Sequence, residues 1–274
     1  MFTFDPAASY TMPAHFGARR PEPNSSGWYR DVTAVTVPYL TDRDLLAAHL
    51  PEPFEVGVEP IVTVFYARNR DVDWLAGHGY NMIGVTCSAV YKGPTEQLSG
   101  SFTLVVWENL ADPILTGREL QGIPKIYADI PDHTVTHGGN PAETWRAGAT
   151  HFGHRIVDIE VTGLRPPTID EIAAAQQQQA TDDHPMAWRH MPAVGRPGAS
   201  ISEATTFPSE NVFTDARVAT GSVEWHRLTW EQNPTQYRIV NALADLPILE
   251  HRPAVITWGS TNLIVPERPS RVLS

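Results

Sequence analysis

The sequence predicts a β-rich α+β fold, because segments with the composition of strands far outnumber segments with helical periodicity. Hydrophobic residues make up 42% of the 274-residue chain and charged residues 19%, which leaves ample apolar material for a core. A β-rich chain of this length commonly forms one large domain. We therefore expect an irregular arm over residues 1–30, followed by a single domain over residues 31–274.

Seven segments are rich in β-branched and aromatic residues, or alternate apolar and polar residues, as strands do. The clearest alternation runs over residues 155–162 and predicts a strand with one buried face. Residues 181–211 are polar and proline-rich, and we expect a long loop or an excursion between sheets there. The predicted strands span residues 32–39, 61–66, 82–91, 101–106, 155–162, 216–225 and 255–258.

Helical signals are fewer and shorter than the strand signals. Thr41 is placed as the N-cap of a short amphipathic helix over residues 42–50. Thr168 and Glu171 form a capping box, which predicts the start of a second helix. Residues 234–244 have the pattern of a third helix.

The charge balance excludes two classes of partner. The formal net charge is −11 and the pI is near 5.4, whereas nucleic-acid binding and anionic membrane surfaces both require a basic face. No apolar run is long enough for a membrane span, and no export signal is visible at the N-terminus. We expect a cytoplasmic protein without a disulfide, since Cys87 is the one cysteine of the chain.

Several common catalytic motifs are missing from the sequence. His133 and His137 are four residues apart and His151 and His154 three apart, but isolated pairs do not supply a three-ligand zinc site. There is no Gly-x-Ser-x-Gly elbow, no Walker loop and no dinucleotide-binding loop. We therefore expect no metal and no bound cofactor.

The use of lysine is the most informative feature of the composition. Two of the twenty basic residues are lysines, Lys92 and Lys125, and the other eighteen are arginines. Arginine can carry surface charge but cannot act as an amine nucleophile, because it does not lose its proton in proteins. A lysine retained directly after Pro124 is thus either a solvated surface residue or a candidate for covalent chemistry.

Three blocks of the sequence together form a recognisable pattern. Residues 112–125 read Asp-Pro-Ile-Leu-Thr-Gly-Arg-Glu-Leu-Gln-Gly-Ile-Pro-Lys, residues 50–55 read Leu-Pro-Glu-Pro-Phe-Glu, and residues 244–250 read Ala-Asp-Leu-Pro-Ile-Leu-Glu. In order and spacing these blocks resemble the acetoacetate decarboxylase superfamily. In the family, a Gly-Arg-Glu turn leads through Pro-Lys to a lysine that forms a Schiff base with a ketone. The resemblance implies that Lys125 is this lysine. It also implies a double-layered, closed or cone-like antiparallel sheet around a buried pocket, and a homo-oligomer.

A Schiff-base lysine must react as the free amine. The reference pKa of a lysine is about 10.4, so such a site has to favour the neutral form by desolvation or by a nearby cation. The residues around Lys125 are Ile123, Pro124, Ile126 and Tyr127, which makes desolvation the expected cause.

The chain departs from the decarboxylase pattern at three places. Decarboxylases of this family carry a second lysine after the Schiff-base lysine and two pocket glutamates, and these positions hold Ile126, Phe65 and Met82 here. Gln121, four residues before Lys125, resembles instead the aldolase–dehydratase members that condense pyruvate with aldehydes. An amide at this place can hold a carboxylate or carbonyl by hydrogen bonding without a charge of its own.

The resemblance also assigns the remaining site residues. Glu250 is expected to transfer protons near the imine, with Tyr237 as an alternative. The residues expected to contact the substrate are Met82, Trp107, Arg118 and Gln121, and those expected to shape the turn are Glu119 and Pro124.

Three functions remain open from the sequence. The first is a lyase that forms a lysine imine with a small keto acid or ketone and performs aldol or dehydration chemistry. The second is a β-keto acid decarboxylase in which burial alone activates Lys125. The third is a ligand-binding protein of the same fold that has lost catalysis.

Overall fold

The computed structural model describes residues 2–19, 26–139, 142–181 and 184–274. In this part of the chain, fifteen strands form one sheet. The strands are β1 (Trp28–Leu40), β2 (Phe54–Val56), β3 (Ile61–Val72), β4 (Tyr80–Lys92), β5 (Gln97–Glu108), β6 (Lys125–Tyr127), β7 (Thr134–His137), β8 (Glu143–His151), β9 (His154–Arg165), β10 (Pro185–Pro192), β11 (Ala199–Thr206), β12 (Glu210–Trp225), β13 (Glu250–His251), β14 (Ala254–Asn262) and β15 (Arg271–Val272).

The strand order along the sheet is β15-β11-β10-β5-β4-β3-β1-β14-β12-β9-β8-β7, with β13, β2 and β6 attached to β1, β4 and β5. All seven predicted strands are present, and the β-rich α+β class is confirmed. The described pairings are antiparallel except for two short parallel ones that β5 makes with β6 and β10. Because hydrogen bonds do not join the two ends of this order, the closed or cone-like form stays a prediction.

Strand β1 shows how the sheet separates the core from a cavity. Successive side chains of a strand point to opposite faces. Val35, Val37 and Tyr39 are fully buried in the main apolar core. Ala34 and Thr36 point to the other face, where they line a cavity. The same alternation in the neighbouring strands makes that face of the sheet the wall of a binding site.

Four helices accompany the sheet in the described residues. They are α1 (Arg43–Ala47), α2 (Ala111–Thr116), α3 (Ile169–Thr181) and α4 (Tyr237–Asp245), and a π-helical turn over Gly117–Gln121 follows α2. None of the described helices combines the length and apolar character needed to cross a lipid bilayer.

The N-terminal caps of two helices were predicted from the sequence, and the structure shows both helix starts. The box at α3 is confirmed, because Thr168 N donates to Glu171 Oε2 and Glu171 N donates to Thr168 Oγ1. At α1 the prediction is one residue off. The Asp42 carboxylate, rather than Thr41, accepts from the N–H groups of Asp44 and Leu45. Both residue types can cap a helix, and here the aspartate holds the extended conformation directly before the first turn.

The expected loop over residues 181–211 is wrong. Most of it forms the hairpin of β10 and β11, and β12 already begins at Glu210. The prolines that suggested a loop, Pro185 and Pro192, stand at the ends of β10, where a missing N–H disturbs no ladder. Of the N-terminal arm, residues 2–19 contain only the short 3₁₀ turn Ala14–Phe16, and residues 20–25 lie outside the described residues.

Candidate active site

Lys125 is buried, with 6% of its surface exposed. Helix α2 and its π-helical turn lead to Gly122, whose left-handed conformation (φ 76°) reverses the chain. The chain then enters β6, which lies parallel to β5 with Lys125 opposite Val106. Lysine is among the residue types least often fully buried, so this placement marks the side chain for a specific role.

Gly117 leaves the space that Lys125 occupies. Its φ of −65° and ψ of −38° are ordinary helical values, so the backbone does not require a glycine here. A Cβ at this position would lie 2.5 Å from Cε and 2.8 Å from Nζ of Lys125. The glycine of the Gly-Arg-Glu motif is therefore required because it has no side chain. The sequence alone did not indicate this role.

The Lys125 amine has two polar neighbours. Its Nζ donates a hydrogen bond of 3.2 Å to the Pro113 carbonyl and lies 2.8 Å from Oε1 of Glu108. Glu108 is completely buried at the end of β5, and no described residue donates a well-aligned hydrogen bond to either of its carboxylate oxygens. Burial raises the pKa of Glu108, and the charge of Lys125 opposes this shift.

Glu108 is the main residue that the sequence analysis missed. A signal for it is present, since this glutamate directly follows the apolar residues Leu104, Val105, Val106 and Trp107, two residues beyond the predicted strand 101–106. A charged residue at the end of a strongly apolar strand is a candidate for a buried, paired group.

The amine borders a cavity of about 440 Å³ on the face of the sheet opposite the main core. Side chains of β1, β3, β4, β5, β12 and β14 line it, and most are apolar or carry only a hydroxyl or amide. Among the described residues of this lining, Lys125 is the one charged side chain. A second cavity of about 480 Å³, lined in part by the N-terminal arm, meets the first at Lys125 and Gln121.

Two of the residues predicted to contact the substrate, Gln121 and Met82, line cavities that Lys125 also borders. Gln121 lines both cavities, and its backbone carbonyl accepts a hydrogen bond of 2.9 Å from the Thr205 hydroxyl. Met82 lines the first cavity from β4, and Phe65 lines it from β3. The structure therefore brings Met82, Gln121 and Lys125 together around one space.

The other residues of the motif hold the backbone. Arg118 donates from Nη1 to the Lys125 carbonyl at 3.0 Å and lines neither of the two cavities. The Glu119 carboxylate accepts from the Met12 N–H of the arm at 3.1 Å. The Pro124 carbonyl accepts from the Val106 N–H at 3.1 Å and so starts the pairing of β6 with β5. These contacts fix the backbone of the turn. Arg118 also lines a third cavity, of about 470 Å³, that Lys125 borders on the side of α4.

Two further predictions do not agree with the structure. Trp107 follows a cavity-lining residue in β5, so it points to the opposite face, where it is fully buried in the core and donates to Gln236 Oε1 at 2.8 Å. Glu250 is exposed in β13 and pairs with Arg252 at 2.6 Å. Tyr237 packs against the core from α4. None of the three lines either cavity at Lys125.

Solved structures of similar shape are known. An acetoacetate decarboxylase from Legionella pneumophila matches with a TM-score of 0.71 and 19% identity, over 94% of this chain and 91% of the other. The enduracididine biosynthesis enzyme MppR, solved with the condensation product of pyruvate and imidazole 4-carboxaldehyde, matches with a TM-score of 0.68 and 17% identity, over 99% and 98%. At these identities the likeness concerns the fold.

Sequence relatives give the family. Acetoacetate decarboxylases of Paraburkholderia phytofirmans and Burkholderia mallei are 35% identical over 132 residues and 38% identical over 150 residues. These matches cover 46% and 51% of this chain and 49% and 56% of the relatives, so the chain spans about half the length of the curated relatives it matches. The family model for acetoacetate decarboxylase (ADC) matches residues 11–254, and the chain therefore belongs to the acetoacetate decarboxylase family.

Proposed function

We propose that the protein is a lyase that forms a Schiff base between Lys125 and a ketone or keto acid. The observation that carries this proposal is the position of the Lys125 amine, which is buried yet borders a cavity without any other charged described side chain. A carbonyl carbon that enters this cavity can come within reach of the amine. Low polarity around the site also strengthens the attraction between a protonated imine and any developing negative charge.

The protonated imine would serve as an electron sink. It can stabilise the carbanion left by loss of CO₂, by loss of an α-proton, or by aldol cleavage. We favour aldol or dehydration chemistry for two reasons. Gln121 borders the same space as the amine and can hold a carboxylate by hydrogen bonds, and Ile126 replaces the second lysine of the decarboxylases. The structural neighbour MppR, which was solved with a pyruvate condensation product, is compatible with this choice.

The cavity also informs the choice of substrate. A volume of about 440 Å³ falls within the range of sites for drug-sized ligands and exceeds what a three-carbon keto acid fills. The lining offers one positive charge and many apolar groups. We propose a substrate with a single carboxylate or none, whose carbonyl lies at Lys125 and whose apolar part lies against β1, β3 and β4.

Decarboxylation of a β-keto acid is the second candidate. The curated relatives are named acetoacetate decarboxylases, and an apolar cavity disfavours a carboxylate relative to neutral CO₂. The two candidates separate in one assay. Release of CO₂ from acetoacetate at enzymatic rates would support decarboxylation, and condensation of pyruvate with an aldehyde without CO₂ release would support the aldol reaction.

Borohydride trapping tests the imine itself. The protein is incubated separately with pyruvate and acetoacetate, reduced with borohydride, and mapped by peptide mass spectrometry. We expect a stable adduct on Lys125 and none after Lys125→Arg substitution. Lys92 is the matched control, because it is exposed and pairs with Glu55 at 2.5 Å on the surface. Labelling of Lys92 alone, or of neither lysine, would refute imine catalysis and favour a ligand-binding protein.

A further inference from the structure

We propose that Glu108 is the catalytic proton acceptor and donor for imine formation at Lys125. This inference rests on the proposed function of Lys125. It adds a residue in contact with the reacting nitrogen. It also explains how the Lys125 ammonium can lose its proton and become a free amine without a second lysine.

The geometry of Glu108 favours proton exchange with Lys125. Its Oε1 lies 2.8 Å from Nζ, a hydrogen-bonding distance, although the contact is not well aligned, as is common for catalytic groups before a substrate binds. Both side chains are buried, with 7% and 0% of their side-chain surface exposed, so bulk water does not compete for the proton. Side chains of two paired strands supply the two groups, and the parallel pairing of β5 with β6 fixes their separation.

A purely structural ion pair would be expected to look different. Burying two charges costs more than their attraction commonly returns, unless further hydrogen bonds satisfy the carboxylate. Glu108 has no such support among the described residues. The other lysine of the chain shows the ordinary arrangement, because Lys92 and Glu55 pair on the surface with about half of each side chain exposed. A costly pair whose lysine borders a cavity indicates a functional site rather than a stabilising contact.

The surroundings of Glu108 are consistent with a carboxyl group that can hold a proton. Desolvation raises its pKa, and the titratable groups that face it in the described structure are Lys125 from β6 and Tyr80 from β4. The Tyr80 hydroxyl donates to the Tyr29 hydroxyl at 3.3 Å, and both tyrosines line the cavity. Burial, the neighbouring Tyr29 and the charge of Glu108 hold the pKa of Tyr80 well above its usual range, so this phenol stays neutral.

The proposed step balances in protons and electrons. The ammonium of Lys125 gives one proton to the Glu108 carboxylate and becomes a neutral amine. The amine nitrogen attacks the carbonyl carbon, the C=O π bond breaks, and a proton moves from nitrogen to oxygen to give a carbinolamine. Glu108 then returns its proton to the departing hydroxyl, which leaves as water while the nitrogen lone pair forms the C=N bond. The protonated imine remains beside the Glu108 carboxylate.

The two interpretations of Glu108 predict opposite effects of one substitution. In Glu108→Gln, shape is retained and the carboxyl chemistry is lost. If Glu108 transfers protons, trapping of pyruvate on Lys125 slows by about 10²- to 10⁴-fold, the usual contribution of a positioned acid or base. If Glu108 only holds Lys125 as an ammonium, its removal leaves more free amine and trapping becomes faster.

The experiment follows the rate of borohydride-trapped adduct by intact mass, per molecule of folded protein. The matched control is Glu55→Gln, which removes the carboxylate of the surface pair and should leave the rate unchanged. Glu108→Asp, which moves the carboxylate away from Nζ, should be slower than wild type but faster than Glu108→Gln. A Glu108→Gln rate equal to or above wild type overturns the inference while Lys125 labelling stands. Absence of labelling in wild type would instead remove the proposed function itself.

Discussion

Replacing Gly117 by alanine should lower the rate of imine formation and leave the free energy of unfolding almost unchanged. The new Cβ would lie 2.5 Å from Cε of Lys125, whereas carbon atoms in contact are ordinarily about 3.5–4.0 Å apart. The side chain must therefore move by about 1 Å. It cannot move freely, because Nζ is also in contact with the Pro113 carbonyl and with Glu108. A displacement of about 1 Å in a catalytic group commonly costs about 10²-fold in rate.

The effect of Gly117→Ala on folding should be small. The position has helical dihedral angles, so alanine gains about 0.5–1 kcal/mol from reduced freedom of the unfolded chain. The displaced lysine offsets part of this gain. We expect an unfolding free energy within about 1 kcal/mol of wild type, or roughly 2–4 °C in Tm for a chain of this size.

The assay is the rate of borohydride trapping with pyruvate, measured beside thermal unfolding. Asp112→Ala is the matched control, since it introduces the same residue at an exposed position of the same helix and should leave the rate unchanged. A Gly117→Ala protein that forms the imine as fast as wild type would show that the glycine does not make room for Lys125. If the Gly117→Ala protein fails to fold, the expected gain in stability from alanine at this helical position is contradicted.

Three further predictions follow from the same geometry. Gln121→Ala should lower kcat/KM for a keto acid by about 10- to 100-fold, the loss of one or two hydrogen bonds to a charged group, and should affect a neutral ketone such as acetone much less. Met82→Trp should fill part of the cavity, so that competition between acetone and a long-chain methyl ketone in trapping shifts towards acetone. Arg271 lowers the pKa of Glu96 to about 2, so this pair stabilises the fold above about pH 4.5 and loses its effect as the pH falls through 2. Both groups are partly exposed, so the Tm deficit of Glu96→Gln should correspond to at most about 1 kcal/mol at neutral pH and should vanish near pH 2; an equal deficit at both pH values would refute this.

Local patterns predicted seven of the fifteen strands in the described residues, including the six longest. The strands lie where β-branched and alternating residues indicated them, because the period of two in a strand is visible in any sequence with one buried face. The hairpin of β10 and β11 was missed because Pro185 and Pro192 hide a strand when only composition is considered. The two parallel pairings of β5 could not be foreseen, since each joins strands that no short turn connects.

The candidate site was also predictable from the sequence only in part. Lys125 and Gln121 lie in one contiguous motif, so their shared cavity could be expected from the sequence alone. The proposed proton-transfer group could be predicted only in part, because the apolar run before Glu108 indicates burial, whereas its proximity to Lys125 depends on strand pairing. The structure leaves Glu250 on the surface with Arg252, and it sets Glu108 beside the amine through the pairing of β5 with β6.

The buried pair also changes the meaning of Ile126. In decarboxylases of this family a second lysine assists the first, and its absence here suggested that the amine must rely on desolvation alone. Ile126 follows Lys125 in β6 and packs against the main core. It does not line the 440 Å³ cavity that Lys125 borders. A carboxylate such as Glu108 does what a second cation cannot, because it accepts the proton that the amine has to lose. We thus propose that the chain retains the nucleophile of its family and activates it with a base instead of a neighbouring charge.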